Sequence, residues 1–362
     1  MARSVDYSAL TAPATTEQVR AFRQAAARDP AYASQSSAVQ VIVLVFVFAV
    51  IGFLFVGFAG VVVSMVATTA AQGFSLTTAV SLLFPLLFIA AFAIIVVIAL
   101  RGVLGGGGRW ERWYRLSTFA AANGLVFSPA DANPSYPGAI FTSGRSRVAL
   151  DHLRTPADRF FDYGNYRYVT GSGKNSTTHN WGFLALSLDR ALPHMVLDSR
   201  SNNGLFGGTN LPTVFSQDQV LSLEGDFDQH FTLYCPREYE RDALYVFTPD
   251  LMALLIDEAA PFDVEIVDSW MFVYSGTAFD LRQPAAHQRI LRIVDTVGAK
   301  ALARTDRYAD ERVGGTTVNI VAPEGRRLRR GVSVVAVIAV IAFALVWGWS
   351  LLAEALGGLI GR

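Results

Sequence analysis

The chain alternates between long apolar runs and one central block of mixed polarity. No Asp, Glu, Lys or Arg occurs in residues 31–100 or in residues 331–352. Because a helix needs about 20 apolar residues to cross a bilayer, this pattern predicts three transmembrane helices, at about 39–66, 80–100 and 331–352. The block between them, residues 109–325, is predicted to form one α+β domain with a mainly antiparallel sheet.

The segments outside these elements are short. They comprise an N-terminal tail at 1–38, a Gly-rich linker at 101–108 and a C-terminal tail at 353–362. Within the N-terminal tail, residues 17–29 have helical spacing. The spacing fits either a helix on the membrane surface or a loosely ordered tail.

Arginines flank each predicted crossing on one side only. They precede the first and third runs and follow the second. Since short loops rich in Lys and Arg stay on the cytoplasmic side, we expect a multi-pass plasma-membrane protein. Its N-terminus and central domain would be cytoplasmic and its C-terminus external.

Strand patterns begin near residue 138 of the central block. Aromatic and β-branched runs at 159–169 and 180–188, joined by a polar tip, predict a long hairpin. Residues 194–199 predict a further strand. Residues 261–276 alternate about an Asp-Ser pair, and this pattern predicts a second hairpin.

Three helices are predicted in the same block. The first covers 109–124 and the last begins near residue 284. Between them, Thr248 followed by Pro249 is typical of a helix N-terminus. The leucines of this middle helix are expected to face the core: Leu251, Leu254 and Leu255.

Composition narrows the class of protein. Hydrophobic residues make up 52% of the chain and the mean hydropathy is +0.35, which is high for 362 residues. Residues 109–322 contain 20 basic and 25 acidic residues, a net charge of −5. An acidic domain argues against nucleic-acid binding.

Known catalytic and metal-binding motifs are missing from the sequence. The five histidines are scattered, and the one cysteine, Cys235, is expected in the core. Asp198, Asn202 and Gly204 follow the order of a calcium loop. However, Arg200 stands where an oxygen ligand is needed, so we expect an irregular loop there.

One row of polar residues is the best candidate for a metal or catalytic site. On a strand with a period of two, Asp226, Asp228 and His230 would share one face. The solvent-exposed face of an antiparallel strand has the same pattern. No cofactor and no firm metal site is therefore predicted.

The middle block resembles the central domain of a family of bacterial membrane proteins of unknown function. The similarity is carried by the order GDF, F, LY, YE and DALYVFTPDLMALLID, followed by FDVEIVDSWMFVYSG, and it covers about residues 125–304. The family pairs an N-terminal membrane hairpin with a cytoplasmic α+β domain, and the resemblance implies no reaction. Frequent Ala and an excess of Arg over Lys suggest a high-GC bacterium, and the resemblance implies an actinobacterial one.

These observations lead to one functional expectation with two alternatives. We expect a non-catalytic, membrane-anchored adaptor or sensor that acts through its α+β domain, with the lipid bilayer and a protein as its partners. The first alternative is an enzyme with a site at Asp226, Asp228 and His230. The second is a small pore or transporter subunit, although the predicted crossings lack the ionisable residues that transport usually needs.

Overall fold

The computed structural model describes most of the chain outside the apolar runs: residues 4–33, 106–156, 159–204, 208–313 and 319–331, with single positions in 49–94 and 341–344. Two compact units are present. The larger consists of residues 1–12 and 116–362, and the smaller of residues 13–115. The sheet and the candidate site belong to the larger unit.

Most of the described helices are short. They are α1 (Ser8–Thr11), α2 (Thr16–Ala26), α3 (Pro30–Ala33), α4 (Gly106–Ala122), α5 (Phe227–His230), α6 (Glu240–Val246), α7 (Pro249–Leu254), α8 (Pro284–Ile293), α9 (Ala299–Thr305) and α10 (Pro323–Arg326). Two π-helical turns continue α7 and α8, at Leu255–Ala259 and Val294–Gly298.

In the described part of the chain, seven strands form one sheet in which every pairing is antiparallel. They are β1 (Val126–Ala132), β2 (Arg145–Arg154), β3 (Phe161–Thr170), β4 (Thr177–Ser199), β5 (Val220–Leu221), β6 (Phe231–Tyr234) and β7 (Asp263–Ser275). The order is β1-β2-β3-β4-β6-β5, and β7 also pairs with β4. The long central strand β4 therefore has β3, β6 and β7 as neighbours.

The sheet has two differently covered faces because side chains alternate along each strand. The helix face packs against the helices, and its core includes Phe161, Leu184 and Val264 with Phe119 and Ile290. On the loop face, irregular segments replace the helices. Its core includes Tyr166, Phe183 and Phe272 of the sheet together with Ile140, Phe141, Leu211, Phe215 and Leu328.

The predicted hairpin at 261–276 is wrong, because these residues form the single strand β7. Asp268 has φ +54° and lies opposite Leu192, where the register with β4 shifts. A residue in the left-handed region within a paired strand forms a β-bulge, which bends the strand without reversing it. Residues 194–199, predicted as a separate strand, continue β4 beyond the same bend.

The smaller unit contains α2, whose N-terminus has a capping box between Thr15 and Gln18. The amphipathic segment at 17–29 is thus helical over most of its length. Phe22 makes edge contacts with Trp110 and Tyr114, with ring centroids 6.4 and 5.9 Å apart. An aromatic cluster therefore holds α2 in this unit.

The predicted membrane architecture requires correction. Within the ranges given above, no helix has both the length and the apolar character needed to cross a membrane. The longest, α4, has 17 residues, about 25 Å at 1.5 Å per residue, and it carries Arg109, Glu111, Arg112 and Arg115.

This finding overturns the predicted fold class of three transmembrane helices and the multi-pass plasma-membrane location. The predicted crossings at 39–66, 80–100 and 331–352 lie outside the described residues except at single positions. Hydropathy reports how apolar a run is, but it does not establish a spanning helix. What the structure supports is an α+β fold with a seven-stranded antiparallel sheet.

Candidate functional site

Most of the buried charged and imidazole side chains of the larger unit lie on the loop face of the sheet. They are Asp198 and His194 on β4, Asp263 and Glu265 on β7, Asp162 on β3 and His152 on β2. Each is at most 6% exposed. Since buried charges need partners or ligands, this row is the best place to look for function.

A cleft of about 650 Å³ opens beside one end of this row. Its walls are the start of β4, the loop after β4, the end of β7 and the two residues before β7, and they include Trp181, Phe262, Ser275, Asn202 and Asn210. Apolar rings and hydrogen-bonding side chains are mixed in the lining. Such a lining is typical of a small-molecule site.

Two buried aspartates lie behind the cleft, one position beyond the strand pair Leu197 and Val264. Asp263 Oδ1 accepts from the Ser199 backbone N–H at 2.9 Å and from Asn202 Nδ2 at 3.1 Å. Asp198 Oδ1 accepts from the Thr209 hydroxyl at 2.8 Å. Nearby donors thus satisfy part of each carboxylate.

Three asparagines complete a group that we call the acid–amide cage, made of Asp198, Asp263, Asn202, Asn203 and Asn210. Its amide nitrogens face the acids: Asn203 Nδ2 donates to Asp198 Oδ2 at 3.3 Å. The Oδ1 atoms of all three asparagines are buried without a hydrogen-bond partner, as is Asp263 Oδ2. The cage therefore contains four unused acceptor oxygens.

Burial dominates the protonation of both acids. Burial, together with the nearby Asp198 charge, raises the pKa of Asp263 to about 7, against hydrogen bonds from Ser199 and Asn202. Burial also raises the pKa of Asp198, while Thr209 and Asn203 lower it. Near neutral pH the Asp263 carboxyl is thus poised between its two protonation states.

A second network joins β4, β7 and the C-terminal segment, residues 319–331. The backbone N–H of Leu328 donates to His194 Nδ1 at 3.0 Å. Because a backbone N–H can only donate, Nδ1 carries no proton and Nε2–H donates to Glu265 Oε1, 2.9 Å away. The structure thereby defines the tautomer of His194.

Glu265 is the centre of this network. Its Oε2 accepts from the Ala139 N–H at 2.7 Å and from the Tyr274 hydroxyl at 2.6 Å. Burial raises the pKa of Tyr274, and the Glu265 charge adds to the rise. A Cβ at Gly138 would collide with the Tyr274 hydroxyl, so glycine permits this close approach.

Backbone hydrogen bonds also hold the C-terminal segment. Ser216 N–H donates to the Arg329 carbonyl at 3.0 Å, and Gly331 N–H donates to the Val214 carbonyl at 2.8 Å. The Gln219 side chain bonds both the N–H and the carbonyl of Arg329. The segment is thus docked like a short extra strand, and His194 is its contact with the buried row.

A third network lies at the far end of the row. His152 Nδ1 is 2.9 Å from Asp162 Oδ1, and the Tyr136 hydroxyl donates to Asp162 Oδ2 at 2.7 Å. An imidazole oriented by a carboxylate is the arrangement of a general base. However, His152 is 1% exposed and its Nε2 has no hydrogen-bond partner, so no described nucleophile is in contact with it.

The residues predicted from sequence as a site do not form the expected row. Residues 227–230 form the helical turn α5, and the strand begins only at Phe231. Asp226 is exposed, and Asp228 accepts from Ser222 and from the Leu223 N–H. Among the described residues, no group of three His, Cys, Asp or Glu side chains is placed to hold a metal ion.

The polar residues that do come together were not identified from sequence. In the sequence, Asp198 and Asn202 stand out only as part of an incomplete calcium loop. Asp263 and Glu265 alternate with apolar residues and therefore resemble the wet side of a strand. The sequence does contain one indication that Asp263 and Glu265 are buried. Further along β7 the same face carries the aromatic residue Phe272, and an aromatic residue indicates that this face is covered by other parts of the protein.

Cys235 occupies the expected position. It is 1% exposed on the helix face, and burial raises the pKa of its thiol far above the ordinary range. A thiol held neutral is a poor nucleophile.

Comparison with known proteins adds no further constraint. The chain matches no protein-family model, no curated protein and no solved structure. The resemblance to a bacterial membrane-protein family therefore stays a prediction.

Proposed function

We propose that the α+β domain is a non-catalytic sensor that binds a small ligand in the cleft beside the acid–amide cage. The observation that carries this proposal is the set of unused acceptor oxygens on Asn202, Asn210 and Asp263. Buried acceptors without partners are unfavourable, so a donor-bearing or cationic ligand would be stabilised there. The cleft volume suits a ligand of small-molecule size.

A route from the cleft to the C-terminal segment supports the sensing role. Asp263 and Glu265 lie two positions apart on β7, so they share the loop face. Glu265 bonds His194, and His194 bonds the Leu328 N–H. A shift of the start of β7 upon ligand binding would therefore change the hydrogen bonds that connect it, through His194, to residues 319–331.

The side chains of the cleft favour binding over catalysis. Covalent catalysis needs a nucleophile in contact with a base. His179 Nε2 is bonded at 2.8 Å to the hydroxyl of Thr170, which does not line the cleft, and the hydroxyls of Ser275 and Thr277 lie 3.4 Å from each other. No nucleophile and base are therefore paired among the described residues that line the cleft.

Hydrogen exchange of the full chain tests the sensor proposal. The probes are CaCl2, MgCl2, putrescine and L-arginine, each added to the same preparation. We expect at least one probe to slow amide exchange around Asn202 and Asn210 and to change exchange in residues 319–331. Asn210→Ala should abolish both effects, whereas Asn175→Ala, at an exposed hairpin tip, should not.

Two outcomes would overturn the proposal. If no probe changes exchange at the cleft, the cleft is not a ligand site. If exchange slows at the cleft but stays constant in residues 319–331, binding is not relayed to the C-terminal segment, and the domain is not a sensor of this kind.

A protein partner is the second part of the proposal, because a sensor must pass its signal on. Crosslinking of the full chain in its native source, beside a chain that lacks residues 109–325, measures this. A partner recovered only when these residues are present supports the proposal, and the same partners from both chains would contradict it.

A further inference from the structure

The acid–amide cage has the ligand chemistry of a divalent cation site. Hard cations prefer carboxylate and carbonyl oxygens, and calcium accepts six to eight of them in a flexible arrangement. The cage supplies two carboxylates and three amide oxygens, and Thr209 adds a hydroxyl bonded to Asp198. Arg200 and Thr209 do not fit the linear calcium-loop pattern, but the fold brings Asp263 from another strand.

The charge of the cage is only partly offset, because the Arg200 charge lowers the pKa of Asp198 without reversing the rise caused by burial. In the loop-face row, hydrogen bonds join His152 with Asp162 and His194 with Glu265. No described Lys or Arg pairs with Asp198 or Asp263, which are 3% and 0% exposed. Buried carboxylates are unfavourable without a proton, a partner or a metal ion.

The amide orientations fit a cage ready to accept an ion. Asn202 Nδ2 donates to Asp263 Oδ1 and to the Pro261 carbonyl, at 3.1 and 3.3 Å. A half-turn of an asparagine amide exchanges its nitrogen for its oxygen. After such a half-turn, the amide oxygen occupies the place from which the nitrogen donated to the carboxylate. The oxygen can then bind an ion that lies beside that carboxylate.

One buried carboxylate atom of the cage points directly to a ligand at this place. Asp263 is fully buried, yet its Oδ2 has no hydrogen-bond partner. The unused Oδ1 atoms of Asn202 and Asn210 belong to residues that line the cleft, which provides a path for an ion.

We infer that the acid–amide cage binds a divalent cation of the calcium class. This inference rests on the proposed sensor function, because it names the ligand of the same cleft. Calcium is favoured over magnesium, since magnesium demands a rigid octahedron and gives up its waters reluctantly. We expect Kd for calcium between about 10⁻⁵ and 10⁻³ M, and at least about tenfold weaker binding of magnesium.

Calorimetric titration of the full chain with CaCl2, after EDTA treatment and dialysis, tests the inference. Asp263→Asn should weaken binding at least about tenfold, because it removes one carboxylate. Asp226→Asn is the matched control and should bind calcium like the wild-type chain. Loss of binding in Asp226→Asn, or unchanged binding in folded Asp263→Asn, would place the ion elsewhere and overturn the inference.

Terbium luminescence gives a second test that does not depend on the folding of Asp263→Asn. Trp181 lines the cleft and should sensitise terbium bound in the cage. Trp181→Phe should lose most of this emission while calcium still displaces the terbium. Emission that survives the substitution would contradict the proposed location.

The two proposals fail in different ways. If putrescine or arginine slows exchange at the cleft and no cation binds, the sensor proposal stands and the cation inference falls. If no probe binds, both fall. Calcium binding that leaves residues 319–331 unaffected supports the cation inference and removes the sensor.

Discussion

Both faces of the sheet are buried, but they differ in what covers them and in the side chains that they bury. The helix face is covered by helices and filled with apolar side chains, whereas the loop face is covered by irregular segments and contains a row of acids and histidines. An apolar face gains stability from burial and needs no particular partner. A polar face needs each partner in its place, so its residues are the ones that can respond to a ligand.

The largest expected difference concerns the helix face. Leu251 is 2% exposed in the helix-face core, whereas Leu254, which the sequence also predicted to face the core, is only half-buried. Leu251→Asp should unfold the domain, because an unpaired buried charge costs several kcal/mol against a total stability of about 5–15 kcal/mol. Leu254→Asp should stay folded by near-UV circular dichroism. The reverse result would mean that α7 is rotated.

The next effect concerns the centre of the loop face. Glu265→Ala would leave the Ala139 N–H, the Tyr274 hydroxyl and His194 without their shared acceptor. We expect a loss of about 3–5 kcal/mol in urea unfolding, since each buried donor left without an acceptor costs about 1–3 kcal/mol. Glu265→Gln keeps one acceptor oxygen and should lose less. A loss below about 1 kcal/mol in the alanine variant would show that water reaches these groups.

The free energy of unfolding should change with pH in opposite directions for the titrating groups on the two faces. On the loop face, the pKa of Asp263 is raised to about 7, so its contribution to stability is complete below about pH 4 and is lost as pH rises through 7. On the helix face, burial lowers the pKa of His287 to about 4. Its contribution is complete above about pH 6.5 and is lost as pH falls through 4.

Between about pH 4 and 6.5, Asp263 and His287 change the free energy of unfolding in opposite directions. A variant that lacks one of the two groups should therefore reveal the pH dependence caused by the other. In EDTA, Asp263→Asn should gain about 3 kcal/mol of stability from pH 4 to 6.5, from the remaining His287. His287→Gln, which can still bond Tyr163 and the Leu281 carbonyl, should instead lose stability as pH rises to 7. Urea titrations with slopes of the same sign in both variants would contradict this assignment.

The smallest effect concerns the end of α4, which helps to cover the helix face. Gly124 follows this helix with φ +66°, and a Cβ there would meet nothing within 4 Å. Gly124→Ala should cost about 1–2 kcal/mol from backbone strain alone. Gly108→Ala, inside the same helix and equally open, should be neutral or slightly stabilising. Equal effects of both substitutions would mean that the strain at Gly124 is not significant.

Local patterns in the sequence predicted local structure well. The helix expected at 109–124 is α4, with Trp113 and Leu116 buried three residues apart on one side. The hairpin expected at 159–169 and 180–188 is the pair β3 and β4. In both cases, residues close in sequence determine the outcome, through helical periodicity or a short connection.

The predictions from sequence are wrong where contacts between residues far apart in the chain determine the structure. An Asp-Ser pair is typical of a turn, and only the pairing with Leu192 makes Asp268 a bulge. Similarly, Asp198 is part of a candidate site only because the fold places it beside Asp263, which lies on another strand. Hydropathy alone could not establish spanning helices, for which the described residues offer no support.

The length of β4 has a consequence for how the chain folds. Its hairpin with β3 closes over a few residues, but its pairing of Gly182 with Ser275 must wait for a segment about 90 residues later in the chain. Contacts so distant in sequence slow folding. During synthesis the β7 side of this strand stays open until residue 275 has left the ribosome, and an unpaired edge of that length is a template for aggregation. Chaperones that shield strand edges should therefore matter most while the second half of the chain is being made.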